Sequence, residues 1–136
     1  MADGLVLDTS AYLSFFLKKD QSKGIERLLE SHPLFAPDLF WFEAANGVLF
    51  AKRSHRFGIK EVSLPQLLEI VKEFPVKSIP IPIWWKKAVH LVQKHDLTFY
   101  DSAYVACAQV LNLPLLTLDR KVIQVSKEED VALAWQ

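Results

Sequence analysis

The sequence predicts an α/β fold with a mostly parallel sheet of four to five strands that is covered by helices on both faces. Two observations carry this prediction. Short apolar runs of strand length recur along the chain, and one or two segments with helical periodicity separate each run from the next. A connection of that length carries the chain back across the sheet, so the strands that it joins lie parallel.

The apolar periodicity of the N-terminal half predicts two strands and three helices. In chain order they are a strand at 4–8, helices at 10–18 and 22–30, a strand at 34–36 and a long helix at 39–55. Thr9 or Ser10 caps the first helix and Asp38 caps the long one, because short polar side chains satisfy free backbone amides there. Pro37 ends the second strand.

The C-terminal half continues the alternation of helices and strands. In chain order the elements are a helix at 63–74, a strand at 76–81, helices at 84–94 and 101–111, a strand at 115–118 and an edge strand at 131–135. Ser63 begins the first of these helices, and Pro80 and Pro82 end the strand that follows it. The turn at 112–114 leads into the next strand.

Length and charge limit the class of protein. A chain of 136 residues buries one core, so residues 1–136 are predicted to form a single domain. Its 16 basic and 16 acidic residues give a net charge of zero, which excludes a protein that coats DNA through a broad positive field. A nuclease with a local basic rim is compatible with this balance.

Cysteine content and hydropathy indicate the compartment. The single Cys107 lies among small apolar residues, which predicts a buried structural thiol and excludes a disulfide framework. No apolar stretch approaches the roughly 18 residues that span a bilayer, and the N-terminus lacks the basic segment that begins a signal peptide. We therefore expect a cytoplasmic protein without membrane association.

Four acidic residues interrupt apolar runs, where a charge is costly unless it is paired or binds a metal ion. Asp8 and Asp119 each end a predicted strand, at the edge of a parallel sheet where ligand sites form. Asp101 begins a predicted helix, whose dipole and free amides tolerate a carboxylate. Glu43 lies on the long helix, and we expect all four side chains to converge on one crevice.

The long helix has a narrow polar face that suits this role. In its first half only Glu43, Asn46 and Gly47 interrupt the apolar residues, and their spacing puts them on one side. Two carboxylates about 4 Å apart repel by about 4 kcal/mol at an effective dielectric of about 20, so a cluster takes up protons or a cation. Oxygen ligands without His or Cys favour Mg²⁺ or Mn²⁺, and phosphodiester hydrolysis is the predicted reaction class.

Four short motifs resemble those of the PIN-domain nucleases, and most closely the VapC-type toxins of prokaryotic toxin–antitoxin pairs. They are LDTS at 7–10, P-x-L-x-x-x-E-x-x-N at 37–46, YDSAYVA at 100–106 and LTLDRK at 116–121. The resemblance runs from residue 5 to about residue 122. It implies a three-layer α/β/α sandwich and an endoribonuclease that cleaves RNA with Mg²⁺ or Mn²⁺.

The resemblance also implies roles for individual residues. Asp8, Glu43, Asp101 and Asp119 would form the acidic metal site. Asp8 and Asp119 would anchor the ion, and Glu43 would bind a water or act as general base. Ser10 would hold a carboxylate or a water in place.

Partners are implied in the same way. Family members form dimers, and toxin members are blocked by a cognate antitoxin, so we expect a homodimer, an antitoxin and an RNA substrate. The apolar residues Phe40, Trp41 and Phe50 are consistent with self-association.

Basic residues near the predicted crevice are candidates for binding RNA phosphates. Arg120 and Lys121 follow the last acid of the cluster directly and are the better candidates. Lys52, Arg53 and Arg56 form a basic helix end, which equally fits an interaction with the helix dipole.

Each site residue also has a structural alternative. Three of the acids and Ser10 could cap helices, and Glu43 could reach solvent. Trp84 and Trp85 could stack on bases, although packing is the favoured role. A housekeeping RNA-processing PIN enzyme and a non-catalytic RNA- or partner-binding scaffold are alternative functions. A haloacid-dehalogenase-like phosphatase would need an acid where Ser10 stands.

Overall fold

The structure of the protein, a computed structural model, describes residues 3–19, 22–54 and 61–135. Its strands are β1 (Leu5–Leu7), β2 (Leu34–Pro37), β3 (Val76–Ile79) and β4 (Leu115–Leu116). Its helices are α1 (Thr9–Phe16), α2 (Ser22–Ser31), α3 (Phe40–Arg53), α4 (Leu64–Lys72), α5 (Ile81–Lys94), α6 (Phe99–Leu111) and α7 (Arg120–Glu128). The predicted alternation of strands and helices is confirmed, with differences at the ends of several elements.

The strands form one sheet in the order β3-β2-β1-β4, and each neighbouring pair is parallel. Right-handed crossovers put α1 to α4 on one face and α5 and α6 on the other, because the chain reverses its direction across the sheet after β3. The helices within each group contact one another, and α6 packs on β1, β2 and β4. This is the three-layer α/β/α arrangement that was expected.

The edge strand expected at 131–135 is a single bridge rather than a strand. Leu133 pairs with Leu115 in parallel orientation, outside the four-stranded sheet proper. Beyond this bridge, Trp135 packs over Gly24 of α2. A methyl group on Gly24 would lie 2.3 Å from the indole ring, so a larger residue would displace that ring.

Two helices begin earlier than predicted. Helix α5 begins before residue 84 because Pro82 fits its first turn, where a backbone donor is not needed. Helix α6 is capped by Thr98, whose hydroxyl accepts a 3.1 Å hydrogen bond from the amide of Asp101. Asp101 therefore lies inside the first turn of α6 and is not its cap, which corrects the predicted start.

Two of the predicted helix caps are displaced by one or two residues. Leu39, and not Asp38, occupies the N-cap position of α3. The N-cap position of α1 is Asp8 rather than either hydroxyl residue after it, and the Asp8 side chain makes no capping hydrogen bond. Its carboxylate is therefore available for another role. Ser63 caps α4 as predicted, within a capping box.

Helix α7 (Arg120–Glu128) is not predicted by the sequence pattern. Its β-branched residues Val122, Ile123 and Val125 have low helix propensity, so the segment carries a weak helical signal. Burial decides the outcome, since Val122 and Val125 enter the core. Asp119 caps the helix by accepting hydrogen bonds from two backbone amides.

Helices α1 and α3 approach closely at Gly47. A Cβ atom at this position would lie 2.4 Å from Leu13 Cδ1, so a larger residue would require the Leu13 side chain to shift. The predicted polar face of α3 is thereby divided. Gly47 is a packing contact, Asn46 is exposed, and Glu43 is partly buried.

Cys107 and Trp84 have the packing roles that the sequence predicts. Cys107 is fully buried on α6, and burial raises the pKa of its thiol to about 12. The indole N–H of Trp84 donates a 2.9 Å hydrogen bond to the carbonyl of Ile79 inside the core. Among the described helices, none has the length and apolar character that crossing a membrane requires.

Candidate active site

Asp8 lies directly beyond the carboxyl end of β1. Its amide donates a 3.0 Å hydrogen bond to the carbonyl of Leu116, which continues the pairing of β1 with β4. The residue is only 4% exposed. Its Oδ2 accepts hydrogen bonds from Thr117 Oγ1 at 2.5 Å and from Ser10 Oγ at 3.0 Å. Two hydroxyl groups therefore fix the orientation of a buried carboxylate.

Burial raises the pKa of Asp8 from 3.8 to about 7, against the opposing effect of its two hydroxyl hydrogen bonds. The charges of Asp101 and Glu43 raise this pKa further. An ionised Asp8 is therefore costly near neutral pH unless a positive charge lies beside it. Carboxylates perturbed by both burial and neighbouring acids are typical of functional sites.

Ser10 and Thr117 connect the two strand ends that border the site. Ser10 Oγ accepts a 2.9 Å hydrogen bond from the amide of Leu118, and Thr117 Oγ1 accepts one of 3.1 Å from the amide of Asp119. Each hydroxyl thus accepts a hydrogen bond from a backbone amide that follows β4 and donates one to the carboxylate of Asp8, which follows β1. These bonds hold the two loops together at the edge of the sheet.

Glu43 reaches the site from the first turn of α3. Tyr104 OH donates a 2.6 Å hydrogen bond to Glu43 Oε1, and Thr9 Oγ1 lies 3.3 Å from the same oxygen. Burial raises the pKa of Glu43, these hydroxyl contacts lower it, and the charge of Asp101 raises it. Glu43 is thus bonded inside the crevice, and the alternative that it simply reaches solvent is not supported.

Asp101 and Asp119 form the more open side of the site. Burial and the charge of Asp119 raise the pKa of Asp101, whereas a hydrogen bond from Thr98 and the charge of Lys121 lower it. Asp119 is separated from β4 by two residues, so it does not end the strand as predicted. Its Oδ1 accepts hydrogen bonds from the amides of Lys121 at 2.9 Å and Val122 at 3.1 Å. Asp119 therefore caps α7 and also lies near Asp101.

The four acids lie close enough to one another to interact electrostatically. Electrostatic coupling links Asp8 with Asp101 and Glu43, Glu43 with Asp101, and Asp101 with Asp119. Within the described residues, no three His, Cys, Asp or Glu side chains are grouped so that they could hold one metal ion as they stand. Mg²⁺ typically keeps several waters and takes one or two carboxylates directly, so acids that do not all contact the ion can still hold it through water.

Arg120 and Lys121 are the predicted RNA-binding residues that lie beside the crevice. They form the start of α7, and both are exposed. Lys121 Nζ lies 3.0 Å from Asp96 Oδ2 at the surface, and its charge lowers the pKa of Asp101. This ion pair is exposed to solvent, so a phosphate group could compete for the lysine at little cost.

Lys52 and Arg53 lie at the opposite end of α3 from Glu43. At 1.5 Å per residue, Arg53 is about 15 Å from Glu43 along the helix axis. Both lie in the last turn, where a positive charge also complements the helix dipole. They are therefore not grouped with the acids. Arg56, the remaining predicted RNA-binding residue, lies outside the described residues.

Three hydroxyl residues of the site, Thr9, Tyr104 and Thr117, were not identified from the sequence. Each lies within three positions of one of the four acids, which is a signal that could have been used. Proximity along the chain does not say which carboxylate a hydroxyl will meet, however. Tyr104 bonds to Glu43, which is 61 positions away.

A cavity of about 460 Å³ opens beside Glu43 and is also lined by Phe42, Asn46 and Tyr100. It adjoins an apolar groove of about 290 Å³ between α3, α5 and α6. Phe42, Tyr100 and Trp85 line that groove and are 80%, 60% and 48% exposed. Contiguous exposed apolar surface of this kind is characteristic of interaction sites.

Comparison with known proteins identifies relatives over most of the chain. The family model described as PIN domain matches residues 5–128. Ribonuclease VapC3 of Pyrobaculum aerophilum is 33% identical over 124 residues, which cover 88% of this chain and 92% of that protein. Ribonuclease VapC12 of Mycobacterium tuberculosis is 29% identical over 123 residues, which cover 88% of this chain and 90% of that protein.

The fold also has solved counterparts. The crystal structure of PAE2754 from Pyrobaculum aerophilum has a TM-score of 0.61 and 26% identity, covering 91% of this chain and 86% of that one. A chain of a toxin–antitoxin complex from Klebsiella pneumoniae has a TM-score of 0.59 and 21% identity, covering 88% and 89%. The second likeness concerns the fold alone. Both agree with the α/β architecture.

Proposed function

Because the chain belongs to the PIN-domain family, we propose that it is a metal-dependent endoribonuclease and the toxin of a toxin–antitoxin pair. The observation that carries the proposal is the buried carboxylate of Asp8 beyond the end of β1, held by two hydroxyl groups and close to the charges of Asp101 and Glu43. The names of its relatives, Ribonuclease VapC3 and Ribonuclease VapC12, favour RNA as the substrate. We treat residues 1–136 as one domain with this activity.

The residues of the crevice fit Mg²⁺ or Mn²⁺. All the candidate ligands are carboxylates, which these hard cations prefer to imidazole or thiolate. Both described side-chain hydrogen bonds of Asp8 engage Oδ2, so Oδ1 is the oxygen left for a cation. We assign Asp8, Glu43, Asp101 and Asp119 as the residues that hold the ion, directly or through water. When bound, the cation neutralises phosphate charge and lowers the pKa of a water molecule.

The protein's own groups orient the reactants. Ser10 and Thr117 keep Asp8 in one orientation through their hydroxyl hydrogen bonds. Glu43 acts as the general base, since burial raises the pKa of its carboxyl group and so makes the carboxylate more basic. Its Oε1 is engaged by Tyr104, so Oε2 is the oxygen that receives the proton. The water then attacks the phosphate in line with the leaving oxygen.

Basic residues at the rim would hold the RNA backbone. Arg120 and Lys121 lie at the start of α7, next to the acidic crevice, and are our first candidates for phosphate contacts. Lys52, Arg53 and Arg56 would contact only RNA that extends well beyond the scissile phosphate. Charge removal at Arg120 should therefore weaken RNA binding more than charge removal at Arg53.

Cleavage of a labelled RNA in Mg²⁺, in Mn²⁺ and in excess EDTA tests the nuclease proposal. We expect cleavage to need the divalent ion and Asp101→Asn to slow it by about 100-fold or more. Glu69→Gln is the matched control, because Glu69 is an exposed acid on α4 that pairs only with Lys72 in the described contacts. Cleavage in EDTA, or equal rates in the two variants, would contradict the proposal.

A cognate antitoxin is the proposed protein partner, and the cytoplasm is the proposed site of action. The support is the family and the VapC names of the relatives. Expression of the chain alone should arrest growth, and coexpression with the product of an adjacent small gene should restore it. Unimpaired growth would favour the alternative of a housekeeping RNA-processing enzyme.

We also propose a homodimer formed through the groove between α3, α5 and α6. Phe40, named above as part of an apolar association face, is buried in the core and cannot contribute. Phe42, Trp85 and Tyr100 provide exposed aromatic surface instead. Trp85→Glu should convert a dimer to a monomer in light scattering, whereas Ile70→Glu, at an exposed position on α4, should not. A monomeric wild-type protein would contradict this.

A further inference from the structure

Tyr104 is a buried tyrosine whose hydroxyl lies between Thr9 and Glu43. The residue is fully buried on α6. Its OH lies 2.6 Å from Glu43 Oε1 and 2.6 Å from Thr9 Oγ1. An O–H···O⁻ hydrogen bond of this length is charge-assisted and stronger than a bond between neutral groups. Three helices, α1, α3 and α6, therefore meet at one phenol oxygen.

The available protons fix the direction of these hydrogen bonds. An ionised Glu43 carries no proton, so Tyr104 OH donates to it. The 2.6 Å hydrogen bond accordingly runs from Tyr104 OH to Glu43 Oε1. The phenol oxygen then accepts the proton of Thr9 at 2.6 Å, a shorter contact than the 3.3 Å between Thr9 and Glu43. The chain of donors runs from Thr9 through Tyr104 to Glu43.

We propose that Tyr104 and Thr9 are positioning residues that hold Glu43 Oε1 and so aim Oε2 into the acidic crevice. This inference rests on the proposed function. A glutamate side chain has several rotatable bonds, and a carboxylate that is not held spends less time in the productive orientation. Hydroxyl groups that support an acidic ligand set contribute about 10- to 100-fold to metal affinity or activity in known sites.

Tyr12 offers a matched control within the same protein. It is also fully buried, and its hydroxyl has no hydrogen-bond partner among the described residues. Tyr12→Phe removes a buried hydroxyl group without breaking a described hydrogen bond. Tyr104→Phe removes a buried hydroxyl group that donates a hydrogen bond to Glu43. Comparing the two variants separates the loss of the bond from the loss of a hydroxyl in the core.

Thr9 provides a second, independent pair of variants. Thr9→Ser keeps the hydroxyl that donates to Tyr104, and Thr9→Val keeps the shape of the side chain but removes the donor. If Thr9 had a purely structural role, Thr9→Val would be the less damaging variant, because valine matches the volume of threonine. If Thr9 has a positioning role, Thr9→Ser is the less damaging variant, because serine keeps the hydroxyl group. This pair also carries the test if Tyr104→Phe does not fold.

The experiment measures kcat and KM for one RNA, and Mn²⁺ binding without RNA by electron paramagnetic resonance. We expect Tyr104→Phe to lower kcat by about 10- to 100-fold and to weaken Mn²⁺ binding, while KM changes by less than about twofold. Tyr12→Phe should match the wild type in all three quantities. Thr9→Val should follow Tyr104→Phe, and Thr9→Ser should retain most of the wild-type kcat.

Two outcomes overturn the inference. One is a Tyr104→Phe variant that matches Tyr12→Phe in kcat and Mn²⁺ binding while the wild type cleaves RNA. The other is an equal loss in Thr9→Ser and Thr9→Val. A wild-type protein that does not cleave RNA refutes the proposed function instead. In that case the Mn²⁺ binding of Tyr104→Phe relative to Tyr12→Phe still decides whether Tyr104 positions Glu43.

Discussion

Thr117 and Asp8, 109 positions apart in the chain, are joined by a 2.5 Å hydrogen bond from the hydroxyl to Oδ2. Thr117 Oγ1 also accepts a 3.1 Å hydrogen bond from the amide of Asp119. One hydroxyl group thus ties the carboxylate beyond β1 to the backbone beyond β4. The bond lowers the pKa of Asp8 and partly opposes the effect of burial.

Thr117→Val should therefore damage both stability and the site. We expect a loss of about 1–3 kcal/mol in the free energy of unfolding, because the amide of Asp119 loses its acceptor inside the protein. RNA cleavage should fall as well, since Asp8 loses its shortest hydrogen bond. Urea unfolding and cleavage rates measure the two effects. Thr117→Ser keeps the hydroxyl, and a serine variant as impaired as the valine variant would contradict this role.

Without metal, Asp8 should destabilise the folded protein as the pH rises. Its pKa is about 7 when folded and 3.8 in the unfolded chain, so the folded state binds the proton more tightly. The stabilisation that comes from this tighter proton binding is fully present below about pH 4 and is lost as the pH rises through about 7. In EDTA at pH 8, Asp8→Asn should be more stable than the wild type, by up to about 4 kcal/mol.

Thermal unfolding at pH 4 and pH 8 tests this prediction. The advantage of the Asn variant should shrink toward pH 4, where both side chains are neutral. Mg²⁺ at pH 8 should raise the midpoint temperature of the wild type and leave Asp8→Asn unchanged. If Asp8→Asn is less stable than the wild type at pH 8, the buried charge of Asp8 does not destabilise the folded protein and the prediction is wrong.

Glu129, at the opposite end of α7 from Asp119, should have the opposite dependence on pH. Its Oε2 accepts hydrogen bonds from His95 Nε2 at 2.6 Å and Lys94 Nζ at 3.0 Å, and Gln109 Nε2 lies 3.2 Å from Oε1. The hydrogen bond from His95 is the main reason that the pKa of Glu129 falls from 4.5 to about 2. Its contribution to stability is present above about pH 4.5 and is lost as the pH falls toward about 2.

Glu129→Gln should therefore cost about 1–3 kcal/mol of unfolding free energy at pH 7 and much less at pH 2.5. Urea unfolding at the two pH values measures the difference. Glu128→Gln is the control, because Glu128 is exposed and its described ion pair is the single 3.4 Å contact between its Oε2 and His95 Nδ1. Equal costs for the two variants at pH 7 would show that the network around Glu129 does not stabilise the fold.

The sequence was most informative where burial alone sets the structure. Asp8 follows a fully buried strand, and its place at the sheet edge could be predicted from that run. Asp119 was harder to place because the helix it caps contains β-branched residues, which give little helical signal until Val122 and Val125 reach the core. Asp101 lies inside α6 because Thr98, a residue outside the predicted helix, caps it.

The hydroxyl groups of the site could not be predicted in the same way. Their hydrogen bonds depend on which helices pack together, and no local pattern fixes that. Tyr104 meets Glu43 because α3 and α6 converge at the end of the sheet, and Thr117 meets Asp8 because β1 and β4 are neighbours. The acids can thus be predicted from the apolar residues around them in the sequence, whereas the hydroxyl groups that orient them can be identified only from the tertiary structure.

The rate of cleavage of one defined RNA by wild-type protein and by Asp8→Asn, both in Mg²⁺, tests the proposed site most directly. Glu69→Gln serves again as the control for loss of a carboxylate elsewhere. We predict that Asp8→Asn is folded and slower by about 100-fold or more, while Glu69→Gln cleaves at the wild-type rate. A folded Asp8→Asn that cleaves the RNA as fast as the wild type would contradict the assignment of Asp8 and its neighbours as the active site.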